Sequence, residues 1–143
     1  MQIQPYLFFD GRCEEALAFY KQALDAEIVT TMRFKDMPAQ QADGGTCDGP
    51  PGPPPSGDKI MHAAFRVGKT EILASDGMAS GKPEFKGISL ALLTPDIATA
   101  DRYFAALADG GQVQMPQDKT FFSPRFGMVA DRFGISWMIM PEA

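Results

Sequence analysis

Phe19–Val29 reads FYKQALDAEIV and Tyr103–Val113 reads YFAALADGGQV. At an offset of 84 residues, Phe19-Tyr20 falls on Tyr103-Phe104, Asp25 on Asp109 and Val29 on Val113. The same offset lays Gln2–Phe9 over Lys86–Leu93. Identity is weak, yet strand, helix and following strand stay in phase, the mark of an internally duplicated architecture. Each copy supplies a curved sheet with a helix behind it. The expected fold is therefore α+β: two βαβββ modules forming a cupped mixed sheet with helices on the outer face. A ferredoxin-like domain has only about four strands, too few for this pattern.

The elements follow outward from the repeat. Gln2–Phe9 is an apolar run that predicts a strand buried on both faces. From Arg12 to Leu24, Cys13, Ala16, Leu17, Tyr20 and Leu24 recur at helical spacing, with Glu14 and Glu15 in the first turn. Glu27–Phe34 reads as a strand, and Ile60–Val67 with Glu71–Ser75 as a hairpin around Gly68-Lys69. In the second copy Gly87–Leu93 is a strand. Thr94 is the expected N-cap and Pro95 the first residue of a helix running to Ala108, ended by Gly110-Gly111. A strand around Val113 and Met115 follows, then a closing hairpin of Phe126–Ala130 and Ile135–Met140. The reading is one domain over residues 1–143, with module one at about 1–76 and module two at about 86–143. Within module one, the 37–58 stretch places Pro50, Pro51, Pro53, Pro54 and Pro55 amid glycines, which excludes helix and central strand. It predicts a long exposed loop where limited proteolysis cuts first. Rapid cleavage elsewhere, with this stretch intact, would contradict that.

Composition narrows the function. Apolar residues at 45% and charged residues at 22% are ordinary for a globular protein. A net charge of -5 without a basic stripe argues against a nucleic-acid partner. No apolar run approaches the ~20 residues of a membrane span, and no basic-then-apolar leader opens the chain. Cys13 and Cys47 make no disulfide framework, so the expected compartment is the reducing cytoplasm.

Several segments in order then resemble the PhnB-like branch of the vicinal oxygen chelate (glyoxalase/bleomycin-resistance/dioxygenase) superfamily. They are Pro5 to Gly11, Cys13 to Ala16 leading to Phe19-Tyr20, Ile60 to Ala63, Ser75-Asp76, Met115-Pro116, Lys119 to Phe121, Phe126-Gly127 and Asp131 to Trp137. The resemblance implies paired modules around a small-molecule site, within a homodimer, and in many relatives a divalent metal held by His, Gln or Glu. The corresponding positions here fall near Pro5, Ala74 or Ser75, Ser89 and Met138. Only the serines could touch a metal, and they are poor ligands beside imidazole or carboxylate. The expectation is no metal and no other cofactor. Relatives are also named 3-demethylubiquinone methyltransferases. No strand here leads through a Gly-rich turn into a helix, the arrangement that cradles a nucleotide-like cofactor, so methyl transfer is not expected.

His62 is the sole histidine. Its strand has one apolar face in Met61, Ala63, Phe65 and Val67, so alternation points His62 into the cup. There it could serve as acid/base or ligand anchor, or simply be a hydrogen-bonded structural residue. The expected apolar lining is Pro5, Leu7, Phe9, Ala91 and Met138, with Ser136 and Met140 beside Met138. Ser75 and Ser89 could bond a ligand or the backbone, and Asp76 either caps a turn or sits on the rim near His62. Lys119–Phe126 mixes aromatics with cations. Phe122 and Arg125 could close over an anionic ligand, or the aromatics could plug one end of the cup. Cys13 sits on the apolar helix stripe and reads as an inert core thiol. Three functions stay open: a metal-free small-molecule binding protein, an enzyme of the same superfamily using His62 on a small oxygenated substrate, and a purely dimeric structural or regulatory module with no ligand.

Overall fold

A computed structural model describes residues 1–36, 57–77 and 83–142. The Pro/Gly-rich stretch from 37 to 56, with Cys47, lies outside the described residues, as do 78–82 and 143. The chain divides into two compact units, Met1–Pro83 and Glu84–Ala143.

Unit one runs β1 (Tyr6–Phe8), α1 (Cys13–Ala23), β2 (Glu27–Arg33), a 3-10 turn (Phe34–Asp36), β3 (Ile60–Val67) and β4 (Thr70–Ser75). Unit two runs β5 (Leu90–Thr94), α2 (Ile97–Ala108), β6 (Gln112–Asp118), β7 (Phe126–Ala130) and β8 (Ser136–Pro141). The sheet orders are β1-β4-β3-β2 and β5-β8-β7-β6, so each unit is the same βαβββ module. In each, the first strand pairs in parallel with the last and the remaining pairs are antiparallel. The 84-residue offset is kept by the elements themselves: β1 starts at Tyr6 and β5 at Leu90, α1 at Cys13 and α2 at Ile97.

Each helix buries its apolar stripe on its own sheet. Cys13, Ala16 and Tyr20 are fully buried on α1, and Tyr20 stacks on Phe65 of β3 at 5.5 Å. The equivalent stripe of α2 is Ala100, Phe104 and Leu107. Phe104 lies so close to β7 that a Cβ at Gly127 would sit 2.6 Å from its ring. Under α2 the core is Val129, Ile135, Trp137 and Ile139. Burying each such side chain stabilises by roughly 1.5–3 kcal/mol.

Two local readings change. The strand expected over 2–9 is three residues long and alternates: Leu7 is buried, while Tyr6 and Phe8 are 39% and 56% exposed. A sheet with a helix on one face cannot bury both faces of its strand against that helix. The N-cap of α2 is Asp96 rather than Thr94; its Oδ1 accepts from Thr99 N–H at 2.7 Å. Thr94 is claimed by β5, where it pairs with Pro141, and a carboxylate is the stronger acceptor.

Candidate functional site

Tyr6 and His62 lie on the face of unit one turned away from α1. Tyr6 and Phe8 project there from β1, since Leu7 and Phe9 between and after them go to the core. Phe9 lies against Tyr20 of α1, 6.1 Å between ring centres. Leu7 and Phe9 were expected to line the cup. Alternation holds along β1, but with Leu7 and Phe9 on the helix side and Tyr6 and Phe8 on the open side. Pro5, half-buried ahead of β1, uses its carbonyl to accept from Leu73 N–H at 2.9 Å.

On this face Tyr6 Oη and His62 Nδ1 are 2.9 Å apart, with the rings 5.6 Å apart. Phe8 stacks on Tyr6 at 5.0 Å, and Met32, partnered with His62 across β2 and β3, is 41% exposed. Partial burial raises the Tyr6 pKa, Cys13 adds to the rise, and the Ser75 hydroxyl opposes it. The phenol therefore keeps its proton through neutral pH. When it donates to Nδ1, the proton of a neutral imidazole sits on Nε2, away from Tyr6.

The neighbouring polar residues are engaged elsewhere. Asp76, expected either to cap a turn or to sit on the rim, is 1% exposed. Its Oδ1 accepts from Gly11 and Cys13 N–H at 3.0 and 2.8 Å, and its Oδ2 from Ile60 N–H at 2.6 Å. The rim reading gives way to an anchoring one, because both oxygens are filled by backbone. That carboxylate also does the N-terminal capping of α1 that Arg12 lacks. Ser75 is equally bound to backbone, donating to Ile60 carbonyl and accepting from Gly77 N–H. Burial, aided by Asp76 and Glu14, pushes the Cys13 thiol up to about 12, so it stays protonated.

In unit two, Met138 pairs with Ala91 on the face opposite Trp137. Ser89 Oγ donates to Ser136 Oγ at 2.9 Å, and Ser136 Oγ to Gln114 Oε1 at 3.0 Å. Phe122 is 53% exposed and packs edge-on against Phe126 at 5.0 Å. Arg125, expected to meet an anion, already has one within the chain: its Nε donates to Asp101 of α2 at 2.8 Å. Sequence reasoning missed Tyr6, Phe8 and Gln114. The first two were detectable as the alternates of Leu7 and Phe9 once the helix side was known. Gln114 carried no signal, being one polar residue in an irregular strand.

Two modules with this strand order define the fold of the vicinal oxygen chelate class. At the level of fold, the chain matches a glyoxylase/bleomycin resistance protein/dioxygenase domain from Frankia sp. EAN1pec, with TM-score 0.66 and 15% identity over 99% of this chain and 95% of that one. Residues 1–140 match the family described as 3-demethylubiquinone-9 3-methyltransferase, and the chain belongs to that family. It is 36% identical to Protein YjdN of Escherichia coli (strain K12) over 97% of this chain and 94% of that one. It resembles the crystal structure of PA1353 from Pseudomonas aeruginosa at 40% identity and TM-score 0.80, covering 99% and 98% of the two chains. A PhnB protein from Bacillus cereus matches at 28% identity and TM-score 0.77, over 99% and 100%.

The residues at the superfamily's metal positions do not fit a divalent ion. Pro5 has no donor side chain, Ala74 is a buried methyl, and the Ser75 and Ser89 hydroxyls are engaged as described. Met138 contributes only a thioether. Among the described residues, no three His, Cys, Asp or Glu side chains group as a metal set. No described helix is long and apolar enough to cross a membrane.

Proposed function

We propose that the protein binds a small, partly apolar oxygenated molecule on the Tyr6–His62 face, without a metal. The hydrogen bond between Tyr6 Oη and His62 Nδ1 carries the reading. It fixes the imidazole through a side chain on an open face, leaving Nε2 to orient a ligand. Phe8 and Met32 beside it supply exposed apolar surface for the ligand's remaining atoms.

Methyl transfer, which the family description names, is set aside. A nucleotide-like cofactor is typically seated on unsatisfied N–H groups at a helix start. Here Asp76 accepts from Gly11 and Cys13 at the start of α1, and Asp96 from Thr99 in α2. The second reading is catalysis, favoured by the same bond, because a phenol and an imidazole at 2.9 Å can pass a proton.

Native mass spectrometry of the gently purified protein is the test. A retained small molecule is expected, and His62→Gln and Tyr6→Phe should each weaken its rebinding about tenfold while leaving the far-UV spectrum unchanged. Affinity unchanged in both variants would sink the reading. Turnover of that molecule by the wild type, lost in His62→Gln, would decide for the enzyme.

A further inference from the structure

We infer that Asp109-Gly110, in the turn after α2, is a modification site: its aspartate closes spontaneously to a cyclic imide and reopens as isoaspartate. The reaction needs only water, and its residues play no part in the Tyr6–His62 face. Asp-Gly is the pair at which this chemistry is easiest, because glycine has no side chain to shield its nitrogen or to restrict the turn. The described residues hold three such pairs, Asp10-Gly11, Asp76-Gly77 and Asp109-Gly110. Two more, at Asp43 and Asp48, lie outside them.

In the first step the Gly110 nitrogen attacks Cγ of the Asp109 carboxyl group in its acid form. A C–N bond forms, a C–O bond breaks, and the amide proton leaves with the hydroxyl as water. Water then adds to the imide. Addition at the side-chain carbonyl restores aspartate, and addition at the main-chain carbonyl routes the backbone through Cγ.

Hydrogen bonds decide between the three pairs. A nitrogen whose N–H is held by an acceptor reaches the neighbouring Cγ only by giving that bond up. Gly11 N–H donates to Asp76 Oδ1 at 3.0 Å, and Gly77 N–H to Ser75 Oγ at 2.9 Å. The Asp76 carboxylate is in addition 1% exposed, with both oxygens filled by backbone N–H groups. At the third pair neither restraint exists. The Asp109 side chain is 81% exposed, and Gly110 N–H has no partner among the described residues.

What holds this pair is Arg132, whose Nε and Nη2 donate to the Asp109 carbonyl at 3.3 and 3.1 Å. The Asp109 ψ of 113° turns the Gly110 nitrogen away from the side chain. Ring closure rotates that peptide and takes its carbonyl off the guanidinium, so Arg132 is the gate. The gate is weak, because Arg132 is partly exposed and water competes for its bonds. The product adds a methylene to the main chain beside Gly111, which packs so closely on the Ala130 carbonyl that no Cβ would fit.

The test is incubation of the full-length protein in H₂¹⁸O at mildly acidic pH, where each imide opening leaves ¹⁸O in the residue. Peptide mapping with electron-transfer fragmentation reads both label and isoaspartate. Asp109 should gain label at least about tenfold faster than Asp10 or Asp76. Arg132→Gln should speed Asp109 by roughly three- to tenfold and leave the other two unchanged. Asp109→Glu should end the reaction there with the far-UV spectrum unchanged. In urea-unfolded protein the three pairs should react at similar rates, which assigns the selectivity to the fold. Asp10 or Asp76 labelled as fast as Asp109 in the folded protein, no label at Asp109, the same selectivity in urea, or an Arg132→Gln rate at or below wild type would each overturn the inference.

Discussion

Asp76→Ala is expected to destabilise unit one by about 3–5 kcal/mol. The carboxylate is 1% exposed and accepts three backbone N–H groups, from Gly11, Cys13 and Ile60. These belong to the turn after β1, the first turn of α1 and the start of β3. One side chain thus joins the β1–α1 junction to the start of β3, two places distant in sequence. Alanine would leave those donors unsatisfied, each at roughly 1–3 kcal/mol, partly relieved as water enters. Asp76→Asn keeps one acceptor oxygen and should cost less, about 1–3 kcal/mol. Urea unfolding followed by far-UV circular dichroism measures both. An alanine variant within 1 kcal/mol of wild type would show that the carboxylate does not anchor the module.

Trp137→Ala is the second large effect, expected at about 3–5 kcal/mol in unit two. The ring is 2% exposed in the core of that unit, and its Nε1 donates to Asp131 Oδ2 at 2.9 Å. Removing it opens a cavity and takes a donor from a buried carboxylate that also accepts from Phe133 and Ile135 N–H. Trp137→Phe separates the two losses. It retains most of the volume and should cost about 1–3 kcal/mol for the missing N–H. Trp137 is the sole tryptophan, so wild-type fluorescence reports on unit two alone. The variants are compared by urea titration with circular dichroism. If phenylalanine proves as costly as alanine, the Asp131 bond outweighs packing; if both are neutral, the assignment of this core is wrong.

The duplicated module was legible in the sequence because its signals are local and periodic. The helix stripe Cys13, Ala16, Leu17 and Tyr20 is buried as its 3.6-residue spacing requires. Alternation in β8 likewise separates Trp137 and Ile139 from Met138 and Met140. The 84-residue offset works because it compares like elements, and needs no knowledge of how they pack.

Tertiary structure alone decided the rest. Alternation states that Leu7 and Phe9 share a side and Tyr6 and Phe8 the other, but not which side the helix covers. Only the packing of Phe9 on Tyr20 settles that, and with it the pairing of Tyr6 with His62 across 56 residues. Asp76 looked like a turn residue because its partners lie 63 and 65 residues away in the chain, at Cys13 and Gly11. Arg125 looked free for an anion because Asp101 sits on a separate helix. Periodicity encodes which residues lie together on one element; which groups meet across elements depends on the close approach of chain segments that sequence spacing does not specify.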